Sequence, residues 1–439
     1  MPCFFGIIMV EYTFLRNGEA MSLANKIDKK ELNYWDFSDV VSTGIHKISS
    51  YPATMVPDMQ NELIRLIKSE DKSVQKLLDP FHGSGVTLVE GMKNDLTPIG
   101  IDINPLANLI TLVKLQGVNK NQIKLSNNRI IDLLHKESFK FEIHDFYNIN
   151  KWYREDFIET FSKIRAAIQR ERYKNIRQYY WVCLINILKK YSNTRSSTFK
   201  LHVKTQEDID SMSNDIIEDF IKNIEKSYIF LPSFVQYNKK ELYIGKAEEI
   251  LSEFTDESVD LICTSPPYGD NSTTVTYGQY SILPLYWIDK SDLGKFDEQL
   301  IANYSSIDSN SLGGNQRVRN SFESSILHDF LPRIDEKKQN KVKNFVLDYL
   351  NVMSELVRVL KVGKYMVLTL GDRRVDNQVV PLSTITTEYL ESNGFILEKA
   401  ITRNIPKKRM PRKVSKVGGN SVESMNQEHF LILKKVENR

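Results

Sequence analysis

Apolar and polar positions along this chain follow two different rhythms. A short apolar run over residues 76–81 ends in a glycine-containing turn, residues 87–96 have helical character, and residues 98–104 return to strand character. Pro105 stands where a helix begins, because its missing N–H is a donor the first turn leaves unused, and the apolar spacing over 106–115 continues that helix. Strands alternating with helices predict a parallel sheet covered by helices. From about residue 119 to 234 the alternation stops. Long, charged, Tyr-rich and Trp-containing patterns such as 152–172 and 175–191 predict a helical insertion there. Strand character resumes at 241–245 and 259–264. A helix over 344–360 then leads through Gly363 into a strand at 365–370, and 395–403 and 429–433 predict the last two strands. Residues 288–343, rich in Ser, Asn, Asp and Gly and containing SSIDSNSLGGNQ, predict a long surface excursion. The chain thus divides into an N-terminal extension (1–45), a core (46–118 and 236–439), a helical insertion (119–235) and the excursion (288–343) within the core.

Composition narrows the class. At 439 residues the chain exceeds the usual size of one domain, and 41% hydrophobic with 26% charged residues is a globular balance that excludes disordered and fibrous classes. A net charge of +3 is too small to identify a nucleic-acid partner, so any such partner must be read from local clusters. Cys3, Cys183 and Cys263 are odd in number and lack metal-ligand spacing; reduced thiols are expected, with neither a disulfide framework nor a metal site. The apolar run over 3–10 is short and lacks a preceding basic region, which excludes a signal peptide or membrane span and predicts a cytoplasmic protein. Met21 offers a second start, so the first 20 residues are either an edge strand or a translation-start artefact.

Two motifs carry chemistry. In DPFHGSG, from Asp79 to Gly85, a strand runs into a turn whose glycines let a cofactor approach the backbone, and Asp102 ends the next strand about 20 residues on, where a carboxylate accepts from ribose hydroxyls. Leu88 occupies the last glycine place of GxGxxG and no GK[ST] follows, so a dinucleotide and a triphosphate are disfavoured and an adenosine without pyrophosphate is favoured. The second motif, Thr264-Ser265-Pro266-Pro267-Tyr268, follows an apolar strand at the sheet edge where open α/β sheets bind ligands. Its prolines fix a turn that directs Ser265 and the Pro266 carbonyl toward an exocyclic amine, while Tyr268 offers a flat face to a base rotated out of a duplex. Such an amine is a poor nucleophile because its lone pair is delocalised into the ring. Acceptors on its hydrogens favour the tetrahedral nitrogen of the transition state, with no covalent enzyme intermediate.

These residues resemble the DNA amino-methyltransferases, whose cofactor motif is DPFxGSGxT and whose catalytic motif is [DNS]PPY. An upstream segment, YPATMVPDMQNELIRLI, is similar to the family's additional cofactor motif. The resemblance spans roughly residues 51–117 and 241 to the end. It implies a class I, Rossmann-like α/β fold with a mostly parallel seven-stranded sheet and an antiparallel last strand, and S-adenosyl-L-methionine as cofactor. By position, Asp79, Pro80, Phe81, Gly83, Gly85 and Thr87 border that cofactor, Asp102 and Ile103 its ribose, and Pro52, Ala53 and Thr54 its methionine end. Ser265, Pro266, Pro267 and Tyr268 hold the target base. A serine before PPY is more typical of cytosine-N4 than of adenine-N6 enzymes, implying transfer to cytosine N4 in double-stranded DNA by base flipping, within a restriction-modification system whose endonuclease acts separately. One departure stands in YIGKAE (243–248): Lys246 replaces an acidic residue that accepts from the cofactor adenine, leaving Glu248 or a backbone group to substitute.

DNA affinity requires phosphate-neutralising cations. Candidates are Arg195, Lys200 and His202 in the insertion, Lys407, Lys408 and Arg409 in the connection between the last two strands, and residues 316–319. Neutralising Lys407, Lys408 and Arg409 together should weaken DNA binding across sequences and flatten its salt dependence, as measured by fluorescence anisotropy at several salt concentrations; unchanged binding would refute that role. Competing readings are an adenine-N6 enzyme, an RNA or protein amine methyltransferase of the same fold, and a non-enzymatic nucleic-acid-binding module with a degenerate site.

Overall fold

The computed structural model describes residues 22–31, 33–38, 40–41, 43–232, 239–270, 274–314, 320–405, 413–417, 420–423 and 427–437. The expectations placed on residues 1–21 and 316–319 and on Lys407, Lys408 and Arg409 lie outside the described residues.

Runs of apolar residues buried on both faces make the central strands, as parallel pairing requires. The main sheet consists of β1 (Lys76–Asp79), β2 (Thr97–Asp102), β3 (Glu241–Ile244), β4 (Val259–Thr264), β5 (Leu360–Gly371), β6 (Phe395–Asn404) and β7 (Gln427–Lys435), in the order β3-β2-β1-β4-β5-β7-β6. Strands β1 to β5 pair in parallel, while β7 runs antiparallel to both β5 and β6. The chain order reverses between β1 and β4, and the crevice outside their carboxyl ends is where such sheets bind ligands.

Successive residues of each strand serve opposite cores, the expected consequence of a two-residue period. Leu77, Leu261 and Val367 face one cluster, and their neighbours Leu78, Ile262 and Leu368 face the other. The helices are α1 (Pro57–Glu70), α2 (Val86–Lys93), α3 (Pro105–Gln116), α4 (Lys120–His135), α5 (Glu155–Gln169), α6 (Lys174–Tyr191), α7 (Ile216–Phe230), α8 (Tyr277–Trp287), α9 (Glu336–Val359) and α10 (Leu382–Ser392), with shorter turns between them. Helix α1 packs on the first sheet face and α9 and α10 on the second. Asn104 caps α3, accepting from the Leu106 N–H at 3.0 Å, with Pro105 in the first turn as predicted.

Three expectations are corrected. The described residues of 288–343 are anchored in two cores rather than forming a surface excursion. Leu293, Leu300, Ile301 and Ile307 are buried in the cluster formed by α3, α8 and the insertion, and Leu327, Phe330 and Ile334 are buried in the cluster that holds α9 and α10. The apolar anchors are sparse and separated by polar residues, so they carry no periodic signal. Helix α9 begins at Glu336, eight residues before the expected position of 344, because Asp335 caps it by accepting from the Lys337 N–H at 2.9 Å, and its first turns, EKKQNK, are polar. Strand β5 begins at Leu360 rather than 365; opposite β4 the register jumps from Leu360 to Tyr365, leaving Gly363 (φ +79°) within the irregularity.

The insertion shares its core with the sheet layer: Leu106, Leu109, Ile110 and Val113 of α3 pack in one cluster with Phe157, Phe161, Trp181 and Phe220. Between β6 and β7 the backbone forms a further antiparallel pair, Lys413–Val417 with Asn420–Glu423. Cys183 and Cys263 are buried free thiols. Among the described residues no helix is long and apolar enough to cross a membrane, and no group of three His, Cys, Asp or Glu side chains is placed to hold a metal ion.

Candidate active site

The glycine turn leaves β1 at Asp79 and enters α2 at Val86, with Gly83 at φ +50° and Gly85 at φ +75°. Both conformations belong to the left-handed region, which a side chain disfavours. Helix α3 braces the turn from behind. The Thr111 hydroxyl donates to the Gly83 carbonyl at 3.0 Å, and a Cβ on Gly85 would lie 2.6 Å from that same side chain. Buried Lys114 donates to the Ser84 carbonyl at 2.6 Å, and burial brings its ammonium down to about 7. Asp102, at the end of β2, accepts from the Gly83 N–H and the Asn104 N–H, both at 2.8 Å, so its carboxylate is fixed beside the turn.

The upstream motif lies against this turn. Tyr51 lies with its ring 3.6 Å from where a Gly83 Cβ would project, its hydroxyl accepts from Asn104 Nδ2 at 2.9 Å, and it stacks on Tyr277 at a centroid distance of 5.8 Å. Pro52 is buried, Ala53 (φ +51°) and Thr54 are exposed, and the Thr87 hydroxyl donates to the Met55 sulfur at 3.8 Å. Pro80 is buried; Phe81 packs toward the cluster under α9 and Ile103 toward that of the insertion, so the two fall on opposite sides of the sheet edge.

Asp79 joins the two motif turns. Its Oδ1 accepts from the Thr264 hydroxyl at 2.6 Å and from the Phe81 N–H at 3.1 Å, so the end of β4 is tied to the end of β1. Among the described residues, its buried Oδ2 has no hydrogen-bond partner. Burial pushes this carboxyl up to about 7, against the opposing pull of Thr264, the Phe81 N–H and the nearby Thr87 hydroxyl.

Beyond Thr264, the Ser265 Oγ lies 3.0 Å from the Tyr268 hydroxyl, which donates to Glu428 Oε1 at 3.2 Å; Arg403 Nε donates to Glu428 Oε2 at 2.7 Å. Burial, and then the Glu428 carboxylate, hold the Tyr268 phenol well above its usual range, so it keeps its proton. Pro266 is buried and Pro267 half-buried. Asp270 anchors the far side of the turn through Arg373 at 2.9 Å and Lys341 at 3.0 Å. Sequence reasoning missed Glu428, Arg403, Lys114, Thr111 and Tyr277; Glu428 lies just before the apolar run 430–433, among polar neighbours that give it no distinguishing signal.

Of the DNA-contact candidates, Arg195, Lys200 and His202 are exposed on one loop, closed by the Arg195 N–H donating to the His202 carbonyl at 2.8 Å. This loop docks on α8 through the Leu201 N–H and Gln279 Oε1 at 3.0 Å, and its exposed Phe199 meets Tyr280, which in turn meets Tyr51 edge-on. The segment between β6 and β7 is rooted at the Asn404–Gln427 pair, on the same sheet edge as Thr264 and Gly371. Lys246 pairs with Glu249 at 2.8 Å.

No protein-family model matches the chain. It is 29% identical to the type II methyltransferase M.MvaI of Kocuria varians over 457 aligned positions, covering 96% of this chain and 99% of that protein. It is 23% identical to the type II methyltransferase M.AvaI of Anabaena variabilis over 398 positions, covering 80% of this chain and 79% of that protein. Among solved structures, a Thermus thermophilus protein described as a DNA modification methylase and complexed with S-adenosyl-L-methionine aligns over 44% of this chain and 52% of its own. The identity is 18% and the TM-score 0.23, too low to add to the sheet order itself. With six strands running one way, one reversed, a glycine turn after β1 and similarity to a type II methyltransferase sustained over nearly its whole length, the chain has the class I fold of S-adenosylmethionine-dependent methyltransferases.

Proposed function

We propose that the chain transfers a methyl group from S-adenosylmethionine to the exocyclic N4 amino group of cytosine in double-stranded DNA. The observation that carries this is the Asp79–Thr264 hydrogen bond, which sets the cofactor turn beside the turn bearing Ser265 and Tyr268. Bound cofactor supplies an electrophilic methyl group on a sulfonium. The residues present suit it: Gly83 exposes its backbone beside the Tyr51 ring, Asp102 is fixed beside the glycine turn and can accept from ribose hydroxyls, and Asp79 Oδ2 is an acceptor available to the methionine ammonium. Ser265 and the Pro266 carbonyl accept from the two amino hydrogens of the flipped base and so return the lone pair to nitrogen; Tyr268 packs beside the base. Arg195, Lys200 and His202 contact the duplex backbone, and Phe199 extends the aromatic path from Tyr51 and Tyr280 toward it. The resemblance of both motifs to DNA enzymes, and the type II relatives, support a role in protecting sites from a separately acting endonuclease.

Incubation with isotope-labelled S-adenosylmethionine and unmodified genomic DNA, followed by nucleoside mass spectrometry, should yield N4-methylcytosine. N6-methyladenine would overturn the choice of base, and label in RNA or protein but not DNA the choice of substrate.

Asp79 gives a pH prediction. An ammonium beside its carboxyl favours the ionised form, so binding below the carboxyl's value of about 7 must release a proton. Affinity should therefore rise with pH, by up to about tenfold per unit below 7, and level off above it. Calorimetric titrations in buffers of different ionisation enthalpy should show that release, and Asp79→Asn, which keeps an acceptor for Thr264, should abolish it. A pH-independent Kd for the unaltered chain would remove Asp79 from the ammonium site.

A further inference from the structure

We propose that Glu428 is a positioning residue that orients the Ser265 hydroxyl, through Tyr268, so that its lone pairs face the amine to be methylated. The inference rests on the acceptor role given above to Ser265. It starts from a chain of contacts leading away from the reacting centre: Ser265 Oγ to Tyr268 Oη at 3.0 Å, Tyr268 Oη to Glu428 Oε1 at 3.2 Å, and Glu428 Oε2 to Arg403 Nε at 2.7 Å. Glu428 and Arg403 are direct cross-strand partners on β7 and β6, and their side chains are only 15% and 5% exposed. These two strands come from the last third of the chain and bear neither motif.

The direction of each hydrogen bond in this chain is forced from the far end. Arg403 has donors and no acceptor, and the Glu428 carboxylate beside it only accepts. The Tyr268 proton must then point at Glu428. With its single proton committed, Tyr268 meets Ser265 through an oxygen lone pair, and the Ser265 proton points back at Tyr268. Both Ser265 lone pairs are left facing away from the relay. A hydroxyl free to rotate would spend part of its time presenting its proton to an amine that itself presents protons, which is repulsive. The Glu428–Arg403 pair removes that orientation. Acting through two hydroxyls, it adjusts polarity without touching the base.

The same accounting of protons predicts an unusual order among variants. In Glu428→Gln, Arg403 claims the amide oxygen, because a guanidinium cannot accept from the amide nitrogen. The amide N–H₂ is left to face Tyr268 and donates to it. Tyr268 then donates to Ser265, and the Ser265 proton is driven outward, toward the amine: the polarity of the whole chain is inverted. Tyr268→Phe cuts the chain instead and leaves Ser265 free to rotate. Glu428→Gln should therefore lower kcat more than Tyr268→Phe, by about 100-fold against about tenfold, within the range for misdirected polar catalysis. The double variant should return to the level of Tyr268→Phe, so the second substitution rescues the first by about tenfold. The KM for S-adenosylmethionine should stay within about twofold in all three, because none of these groups lies in the glycine turn.

A purely structural ion pair predicts the opposite pattern, with losses that add in the double variant and no rescue; that result, or a Glu428→Gln kcat near that of the unaltered chain, would overturn the proposal. To read the relay apart from turnover, 3-fluorotyrosine incorporated at position 268 of the full chain reports on the phenol's hydrogen bonds by ¹⁹F NMR. Its resonance should move in both Glu428→Gln and Ser265→Ala, and an unmoved resonance in Glu428→Gln overturns the relay whatever the activity. If the unaltered chain methylates no DNA while the resonance moves as expected, the failure lies in the proposed function and in the acceptor role of Ser265.

Discussion

Replacing Ser265 by alanine should cut single-turnover methyl transfer to DNA by about 10²- to 10³-fold, the loss typical of removing one polar contact that strengthens in a transition state. S-adenosylmethionine affinity should change by less than about twofold, because an interaction realised only in the transition state lowers kcat without touching ground-state binding. The structure makes this separation clean. Ser265 lies one residue beyond Thr264, and it is Thr264, not Ser265, that bonds Asp79 and ties β4 to the cofactor turn. The side chain removed therefore contacts Tyr268 and leaves the glycine turn intact. Tyr268→Ala should lose comparable turnover, since it deletes a packing surface for the base as well as the hydroxyl. Equilibrium cofactor binding measured beside single-turnover kinetics decides the matter; if either variant lost cofactor binding together with activity, the base pocket would have to be sought elsewhere.

Where a physical signal is local, the sequence carried it. The apolar runs of β1 and β4, the Pro105 helix start and the glycine turn between Asp79 and Val86 are each written in consecutive residues. They are enough to place both motif turns at the ends of strands from the chain alone. The position of Asp102 beside Gly83 follows from the short β1-α2-β2 unit for the same reason. What was not legible depends on pairing across long stretches of chain. Glu428 reaches Tyr268 because β7 inserts between β5 and β6, which no periodicity announces. Lys114 has the appearance of an ordinary helix-surface lysine until α3 packs against the glycine turn and buries it on the Ser84 carbonyl. Residues 288–343 were misread for a related reason: polar composition suggested solvent, but single apolar side chains spaced irregularly among those polar residues anchor the segment in two separate cores.

That misread segment supplies the largest expected effect on stability. Asp292 lies within it, with its side chain 1% exposed, and three side chains of α6 converge on it. Arg177 donates to its carboxylate through Nε at 2.9 Å and through a second nitrogen at 2.7 Å, Trp181 Nε1 donates at 2.8 Å, and Gln178 donates to its backbone carbonyl at 2.7 Å. Alanine at 292 would leave the partly buried guanidinium without its counter-charge and the fully buried indole N–H without its acceptor. Deleting one partner of such a pair costs about 3–5 kcal/mol, far more than the pair contributes against an apolar replacement. Asp292→Ala should therefore lower the unfolding free energy by about that amount, read from denaturant melts, while Asp292→Asn, which keeps one oxygen for the indole or the guanidinium, should lose less. Limited proteolysis should at the same time open new cleavage sites between α8 and α9, because Asp292 is the buried member of the contacts that fasten the start of that connection to the insertion, beside the more exposed Gln169–Asp289 and Lys174–Ser291 bonds. A loss below about 1 kcal/mol, the value of an ordinary exposed pair, would mean that the connection is held by its apolar anchors alone.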